Sequence, residues 1–172
     1  MHLAICRHGE TVENKTGIIQ GWIPGSLTDE GEEQARLLAK EIKEFNPDYI
    51  FVSDLGRCMD TLGIITAEGI QTTKRNTFVD WRLRERAFGS LEGKSSEGVD
   101  WLDFFANDPT VSKYGEETNE NLYLRIIDFL NSLKNLFKES DAKVLVITHG
   151  GVVNAIKALE YGDNYTAKKY PN

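Results

Sequence analysis

The sequence predicts an α/β fold with a mostly parallel sheet. Three short runs are rich in apolar and β-branched residues without clean alternation, which is typical of strands buried on both faces. These runs are His2–Cys6, Tyr49–Ser53 and Val144–Thr148. Helical patterns lie between them, and strands that alternate with helices favour a parallel sheet covered by crossover helices.

The helices are predicted from caps and apolar spacing. The first begins at Thr28, because T-D-E-G-E-E places a capping hydroxyl before an acidic first turn. Asn46-Pro47 should end it, since the residue before a proline avoids the α region. Apolar spacing predicts three more helices, from about Arg57 to Glu68, from near Asn119 to Lys138, and onward from Gly151.

The length of 172 residues predicts one domain over 1–172. Within it, residues 94–116 differ from the rest, because serine, glycine and proline stand there among aromatic and acidic residues. We predict a partly helical excursion over one end of the sheet. It is either a packed surface loop or a lid over a substrate, and the sequence favours neither.

Composition restricts partners and compartment. A net charge of −7 and a sequence pI near 5.0 argue against nonspecific binding to nucleic acid or to an anionic membrane. The first apolar run stops at Arg7, which is too early for a signal peptide, and no window approaches the roughly 18 apolar residues of a membrane span. Two cysteines are too few for disulfide bonds to stabilise a domain of this size. We therefore expect a cytoplasmic protein and leave a homodimer open.

Polar residues of catalytic type follow each predicted strand. They are Arg7-His8-Gly9-Glu10-Thr11, Ser53-Asp54-Leu55-Gly56-Arg57 and His149-Gly150-Gly151. The carboxyl ends of parallel strands share one edge of the sheet, where ligands of open α/β folds bind. We expect two histidines and two arginines to meet there, beside glycines that let backbone N–H groups approach a ligand.

This set of residues suits the transfer of a phosphoryl group. Two guanidiniums can clamp phosphate oxygens, and an imidazole can attack phosphorus if its other nitrogen is held protonated by a backbone acceptor. A carboxylic acid must also protonate the leaving alkoxide. Glu85, within Arg82-Leu83-Arg84-Glu85-Arg86, is the candidate, and Glu92 and Glu116 are alternatives.

A metal site is the competing interpretation of the same residues. Cys6 and His8 are two apart on one strand, and Cys58 and His149 would complete four ligands. That spacing is not a recognised zinc pattern, and neighbouring arginines would disfavour a cation. We therefore predict no metal.

Five blocks, in order over about residues 3–158, carry a resemblance to a known family. They are R-H-G-E-T at 7–11, S-D-L-G-R at 53–57, L-R-E at 83–85, F-G-S-L-E-G at 88–93 and T-H-G-G at 148–151. Together they resemble the histidine phosphatase superfamily, in its phosphoglycerate mutase-like branch. The resemblance implies the phosphoglycerate mutase-like form of the fold, a three-layer α/β/α sandwich.

The resemblance also implies roles for individual residues. His8 would be the nucleophile that becomes phosphohistidine, and Glu85 would be the acid that later activates water. Arg7, Arg57 and His149 would bind the phosphate, while Asn14, Gln20, Gly21 and the Gly150 backbone would line the phosphate or substrate pocket. No metal or cofactor is implied.

Three positions depart from the resemblance, and two of them, Glu13 and Leu91, are expected at pocket walls. Glu13 and Leu91 stand where aromatic residues are common, and Pro24 replaces an acidic residue. The chain also ends in a polar tail, 161–172, where longer members have strand-forming sequence, so one or two edge strands are expected to be missing.

The expected activity is that of a phosphoric monoester hydrolase of the histidine acid phosphatase type, acting on a small phosphorylated metabolite. A phosphoglycerate mutase is the runner-up, disfavoured because 172 residues leave little material to shield a phosphoenzyme from water. A phosphohistidine protein phosphatase and an inactive phosphate-binding module are further alternatives.

Overall fold

A computed structural model describes residues 1–101, 104 and 110–161. Its strands are β1 (His2–Arg7), β2 (Tyr49–Val52), β3 (Thr77–Val79) and β4 (Lys143–Thr148). Its helices are α1 (Val12–Lys15), α2 (Asp29–Phe45), α3 (Gly56–Ala67), α4 (Asn119–Leu136) and α5 (Gly150–Tyr161), with 3₁₀ turns at Trp81–Leu83 and Gly89–Leu91. The three predicted strands and four predicted helices are present, with ends within two residues of those expected.

The sheet has the order β1-β4-β2-β3, and each neighbouring pair is parallel. This confirms the predicted α/β class. β3 was not predicted, because it has only three residues, Thr77–Val79, two of them exposed, and forms no distinct apolar run. The central position of β4 brings the ends of β1 and β2 to either side of it.

Helices cover both faces of the sheet, as the three-layer prediction requires. Alternate residues of β4 point in opposite directions. Leu145 and Ile147 pack in the core cluster that holds residues of α2 and α3, and Val144 and Val146 pack with residues of α4. Each layer is thus fixed by apolar burial against one face of a fully buried strand.

Helix α2 begins and ends where the sequence predicts. The Thr28 hydroxyl accepts a hydrogen bond of 3.0 Å from the Gly31 N–H, which caps the first turn. At the other end Asn46 is in the left-handed region, with φ of 52°, directly before Pro47. Within the described residues, no helix is both long and apolar enough to cross a membrane.

The 94–116 excursion packs against the loop that follows α1. The Ser96 N–H donates to the Gly17 carbonyl at 2.7 Å, and Phe104, 6% exposed, packs with Ile19 and Leu91. Residues 102–103, 105–109 and 162–172 lie outside the described part of the chain. The prediction about edge strands after α5 lies outside it as well.

Candidate active site

The strand order places three functional segments side by side at the carboxyl edge of the sheet. His8 follows β1, His149 follows the adjacent β4, and Arg57 lies in the first turn of α3, which follows β2. The centroids of the two imidazole rings are 5.1 Å apart. The structure therefore brings together groups that are up to 141 positions apart in the sequence.

His8 is held in one tautomer. Its Nδ1 lies 2.7 Å from the Gly9 carbonyl oxygen, which can only accept, so Nδ1 carries the proton. Its Nε2 accepts a hydrogen bond of 3.1 Å from Arg57 Nε. Burial, and then the Arg57 charge, lowers the pKa of His8 to about 3. The ring is therefore neutral at pH 7, with a lone pair on Nε2.

His149 is fully buried and has the opposite tautomer. Its Nδ1 accepts from Arg57 Nε at 3.1 Å, and its Nε2–H donates to the Ser53 hydroxyl at 2.8 Å. Burial, followed by the Arg57 charge, holds the pKa of His149 well below its usual value. The Cys58 thiol packs 3.4 Å from His149 Nε2 and is completely buried. One guanidinium N–H thus links the two imidazoles.

Both arginines carry their charge in a largely desolvated place. Arg57 is 2% exposed, and its Nη2 donates to the Gly21 carbonyl at 2.8 Å. Arg7 donates only a long bond of 3.4 Å to Asn14 Oδ1, and its buried Nε has no hydrogen-bond partner among the described residues. Burial is the main cause that lowers the pKa of each guanidinium. A bound anion would offset that desolvation.

The carboxylate of Glu85 is fixed by two backbone amides. Oε1 accepts from the Arg86 N–H at 2.8 Å, and Oε2 accepts from the Gly151 N–H, at the start of α5, at 3.1 Å. The Glu85 carbonyl in turn accepts from Trp22 Nε1 at 2.7 Å. The acid therefore keeps a defined position relative to the two strand ends.

Arg125 of α4 supports the segment that carries Glu85. It donates to the Arg82 carbonyl at 2.6 Å and the Glu85 carbonyl at 3.1 Å, and it forms a two-pronged ion pair with Glu117 at 2.6 and 2.7 Å. Sequence reasoning missed this residue. A signal was present, because Arg125 lies on the apolar face of α4, between Leu122 and Ile126 in sequence.

The alternative acids have structural partners elsewhere. Glu92 Oε1 accepts from the backbone N–H groups of Trp22 and Phe88 at 3.0 and 2.9 Å. Glu116 accepts from the Lys113 N–H at 3.0 Å and from two other donors of its own loop. Of the three glutamates, only Glu85 lines the cleft.

A cleft of about 770 Å³ opens over His8. Sequence-predicted residues in its lining are Arg7, His8, Asn14, Gln20, Gly21, Arg57 and Glu85. His149 lies behind Arg57 and does not line the cleft. Gly150 is not among the lining residues either, and the amide that faces Glu85 is that of the next residue, Gly151. Lining residues to which the sequence assigned no role include Glu10, Ile18, Gln34, Phe88 and Trp101.

Two of the unusual wall positions have clear partners. Glu13 Oε2 accepts from Gln20 Nε2 at 3.2 Å, so it braces a side chain of the cleft. Leu91 is buried beneath the cleft wall, in the cluster of Ile19 and Phe104, where a small apolar residue packs well. Among the described residues, no group of three or more His, Cys, Asp or Glu side chains could hold a metal ion.

Comparison with known proteins identifies the family. The family model described as histidine phosphatase superfamily (branch 1) matches residues 3–165. The chain belongs to this superfamily. A probable phosphatase of Schizosaccharomyces pombe is 32% identical to it over 157 residues, which are 91% of this chain and 72% of that protein.

This chain is also similar to phosphoglycerate mutases. A 2,3-bisphosphoglycerate-dependent phosphoglycerate mutase of Tropheryma whipplei is 36% identical over 100 residues, 57% of this chain and 45% of that protein. Among solved structures, Bacillus stearothermophilus YhfR superposes with a TM-score of 0.83 at 26% identity, covering 99% of this chain and 84% of that one. The superfamily assignment thus rests on sequence and fold together, and it covers both phosphatases and mutases.

Proposed function

We propose that the protein is a phosphomonoester phosphatase, of the histidine acid phosphatase type, that acts through a phosphohistidine on His8. The observation that carries the proposal is the tautomer of this residue. The Gly9 carbonyl keeps the proton on Nδ1, and Nε2 faces the cleft-lining Arg57 with its lone pair available. The pKa of about 3 leaves this nitrogen unprotonated at neutral pH.

In the first step, His8 Nε2 attacks phosphorus and the bond from phosphorus to the ester oxygen breaks. Arg7 and Arg57 bind the phosphoryl oxygens, and the Arg57 Nε–H releases the His8 lone pair for the attack while it keeps its bond to His149. His149 holds that guanidinium from behind. Glu85, in its protonated form, gives its proton to the departing alkoxide, which leaves as the alcohol.

In the second step, water attacks the phosphohistidine. Glu85, now a carboxylate, takes a proton from the water, and the nitrogen–phosphorus bond breaks to release inorganic phosphate. Nδ1 keeps its proton throughout, so His8 returns to its starting tautomer. The amides of Arg86 and Gly151 hold the carboxyl group of Glu85 in place for this step.

Hydrolysis is proposed ahead of phosphoryl transfer between carbons because similarity to the phosphatase relative spans most of the chain, whereas that to the mutase spans little more than half. The two outcomes are separable by product. A phosphatase releases inorganic phosphate from 3-phosphoglycerate or other monoesters, while a mutase returns an isomeric phosphoglycerate.

The nucleophile is tested with a generic aryl phosphate. His8→Ala should abolish turnover with the fold intact, and acid-labile phosphate should be trapped on the wild-type protein but not on the variant. His2→Ala is the matched control, because His2 lies exposed at the start of β1, and it should keep full activity. Full activity in His8→Ala would exclude the mechanism.

The acid is tested by leaving-group dependence. Glu85→Gln should slow alkyl phosphates, which need protonation, far more than aryl phosphates, by up to about 10²–10⁴-fold. Rates should be compared where formation of the phosphoenzyme limits turnover. Glu92→Gln is the control, because a carboxylate that only binds backbone amides should affect both substrates equally. Equal losses in Glu85→Gln would contradict its role as acid.

Metal independence is part of the proposal, since two arginines stand where a catalytic cation would bind the phosphate. Activity should persist in the presence of a chelator such as EDTA. Loss of activity that zinc or magnesium restores would count decisively against the proposed steps.

A further inference from the structure

The charges that line the cleft are few and unevenly placed. Among the lining residues that the structure describes, the only cations are Arg7 and Arg57, next to the nucleophile. Two acidic residues, Glu10 and Glu85, line the same cleft, and Glu85 is the proton donor of the proposed first step. One transferred phosphoryl dianion would engage both guanidiniums, so a second anionic group on the substrate would meet the Glu10 carboxylate and no further cation.

The rest of the lining includes a wall of apolar and aromatic side chains. Ile18, Phe88 and Trp101 are half-buried and face the cleft. The rings of Phe88 and Trp101 pack edge to face with centroids 5.9 Å apart, and Phe104 lies 5.5 Å from Trp101 and supports it from the core. An aromatic wall of this kind suits a flat or apolar group on the ligand.

We infer that the preferred substrates are monophosphate esters of uncharged or cationic alcohols that carry a planar or apolar group. Bisphosphates and phosphorylated carboxylic acids are disfavoured. This inference rests on the proposed function and deepens it by naming the substrate class. It depends on the cleft's charges and apolar wall, which are independent of the nucleophile's tautomer.

Three synthetic esters test the inference directly. Benzyl phosphate, 4-carboxybenzyl phosphate and 4-(aminomethyl)benzyl phosphate share one leaving-group type and differ in a remote charge. The kcat/KM of each is measured from released phosphate. We expect the carboxylate ester to be poorer than benzyl phosphate by at least about fivefold, the factor for two like charges about 4 Å apart in bulk water.

The ammonium ester should equal or exceed the neutral one, because the Glu10 carboxylate attracts its charge. Hydrolysis of the carboxylate ester as fast as benzyl phosphate would overturn the inference while the proposed function stood. If the protein hydrolysed none of the three esters and no simple aryl phosphate, the proposed function would instead be overturned.

A substitution that adds a charge to the apolar wall of the cleft provides a second test of the inference. Ile18→Lys adds a cation to the apolar wall and should raise kcat/KM for 4-carboxybenzyl phosphate relative to benzyl phosphate by about fivefold. Ile18→Met is the matched control, with a long uncharged side chain, and should leave the ratio unchanged. An unchanged ratio in folded Ile18→Lys would count against the inference. The comparison of esters on the wild-type protein decides the question if this variant does not fold.

Discussion

Removal of Arg125 should cost this protein more stability than removal of any exposed arginine. The guanidinium donates to both oxygens of Glu117 and to two backbone carbonyls, those of Arg82 and Glu85. The two paired side chains are only 5% and 11% exposed. Arg125→Met therefore leaves a buried carboxylate without its partner, a change that typically destabilises by about 3–5 kcal/mol.

Removal of both members of the Arg125–Glu117 ion pair should cost less stability than removal of one member alone. In Arg125→Met/Glu117→Met the buried charge is gone, and what remains is mainly the Arg82 carbonyl without its donor, at about 1–3 kcal/mol, because the Glu85 carbonyl keeps its bond from Trp22. Adding the second substitution should therefore recover about 2 kcal/mol of the stability lost in Arg125→Met.

Urea unfolding, followed by tryptophan fluorescence and far-ultraviolet circular dichroism, measures both changes, provided that the slope with urea stays constant. Arg36→Met is the control, because its ion pairs with Glu32 and Glu33 lie on the exposed face of α2 and should contribute little. If Arg125→Met shifted the midpoint no more than Arg36→Met, or if the double variant were less stable than Arg125→Met, the buried-pair reasoning would be wrong.

Three further predictions follow from burial. The pKa of His8 falls from 6.5 to about 3 on folding, so between these values the unfolded chain binds a proton that the folded chain does not. The free energy of unfolding should therefore drop by about 2 kcal/mol from pH 7 to pH 5. In urea titrations, His8→Gln should lack this contribution of His8 to the pH dependence. Gly63→Ala, with open space at Cβ, should stabilise by about 0.5–1 kcal/mol, whereas Gly9→Ala, whose Cβ would lie 2.2 Å from a backbone oxygen, should destabilise by about 1–3 kcal/mol in the same assay. Burial raises the pKa of the Cys6 thiol to about 12 and also that of Cys58, so a thiol reagent should label both only in urea.

Much of the fold was predictable because its signals are local. A capping threonine and a proline fixed the ends of α2, and continuous apolar runs marked β1, β2 and β4. β3 escaped prediction, since three residues at an exposed edge carry too little apolar pattern. The short helix α1, whose cap is a contact between Thr11 and Asn14, escaped for the same reason.

The sequence by itself determined which residue types stand at the ends of the strands. Arg7, His8, Arg57 and His149 could be singled out because each follows or flanks a recognisable buried run. Glu85 could be named as a candidate acid beside Glu92 and Glu116, and the family motifs then favoured it. These are one-dimensional properties, set by spacing along the chain.

Only the tertiary structure decided how those groups act on one another. The central place of β4 sets His149 beside His8, and the fold of the 82–85 segment separates Glu85, in the cleft, from Glu92 and Glu116, which bind backbone amides. The tertiary structure also decided that Arg125 supports the segment that carries Glu85. Each of these contacts joins residues far apart in sequence, and its geometry depends on strand order and side-chain packing, which no local pattern encodes.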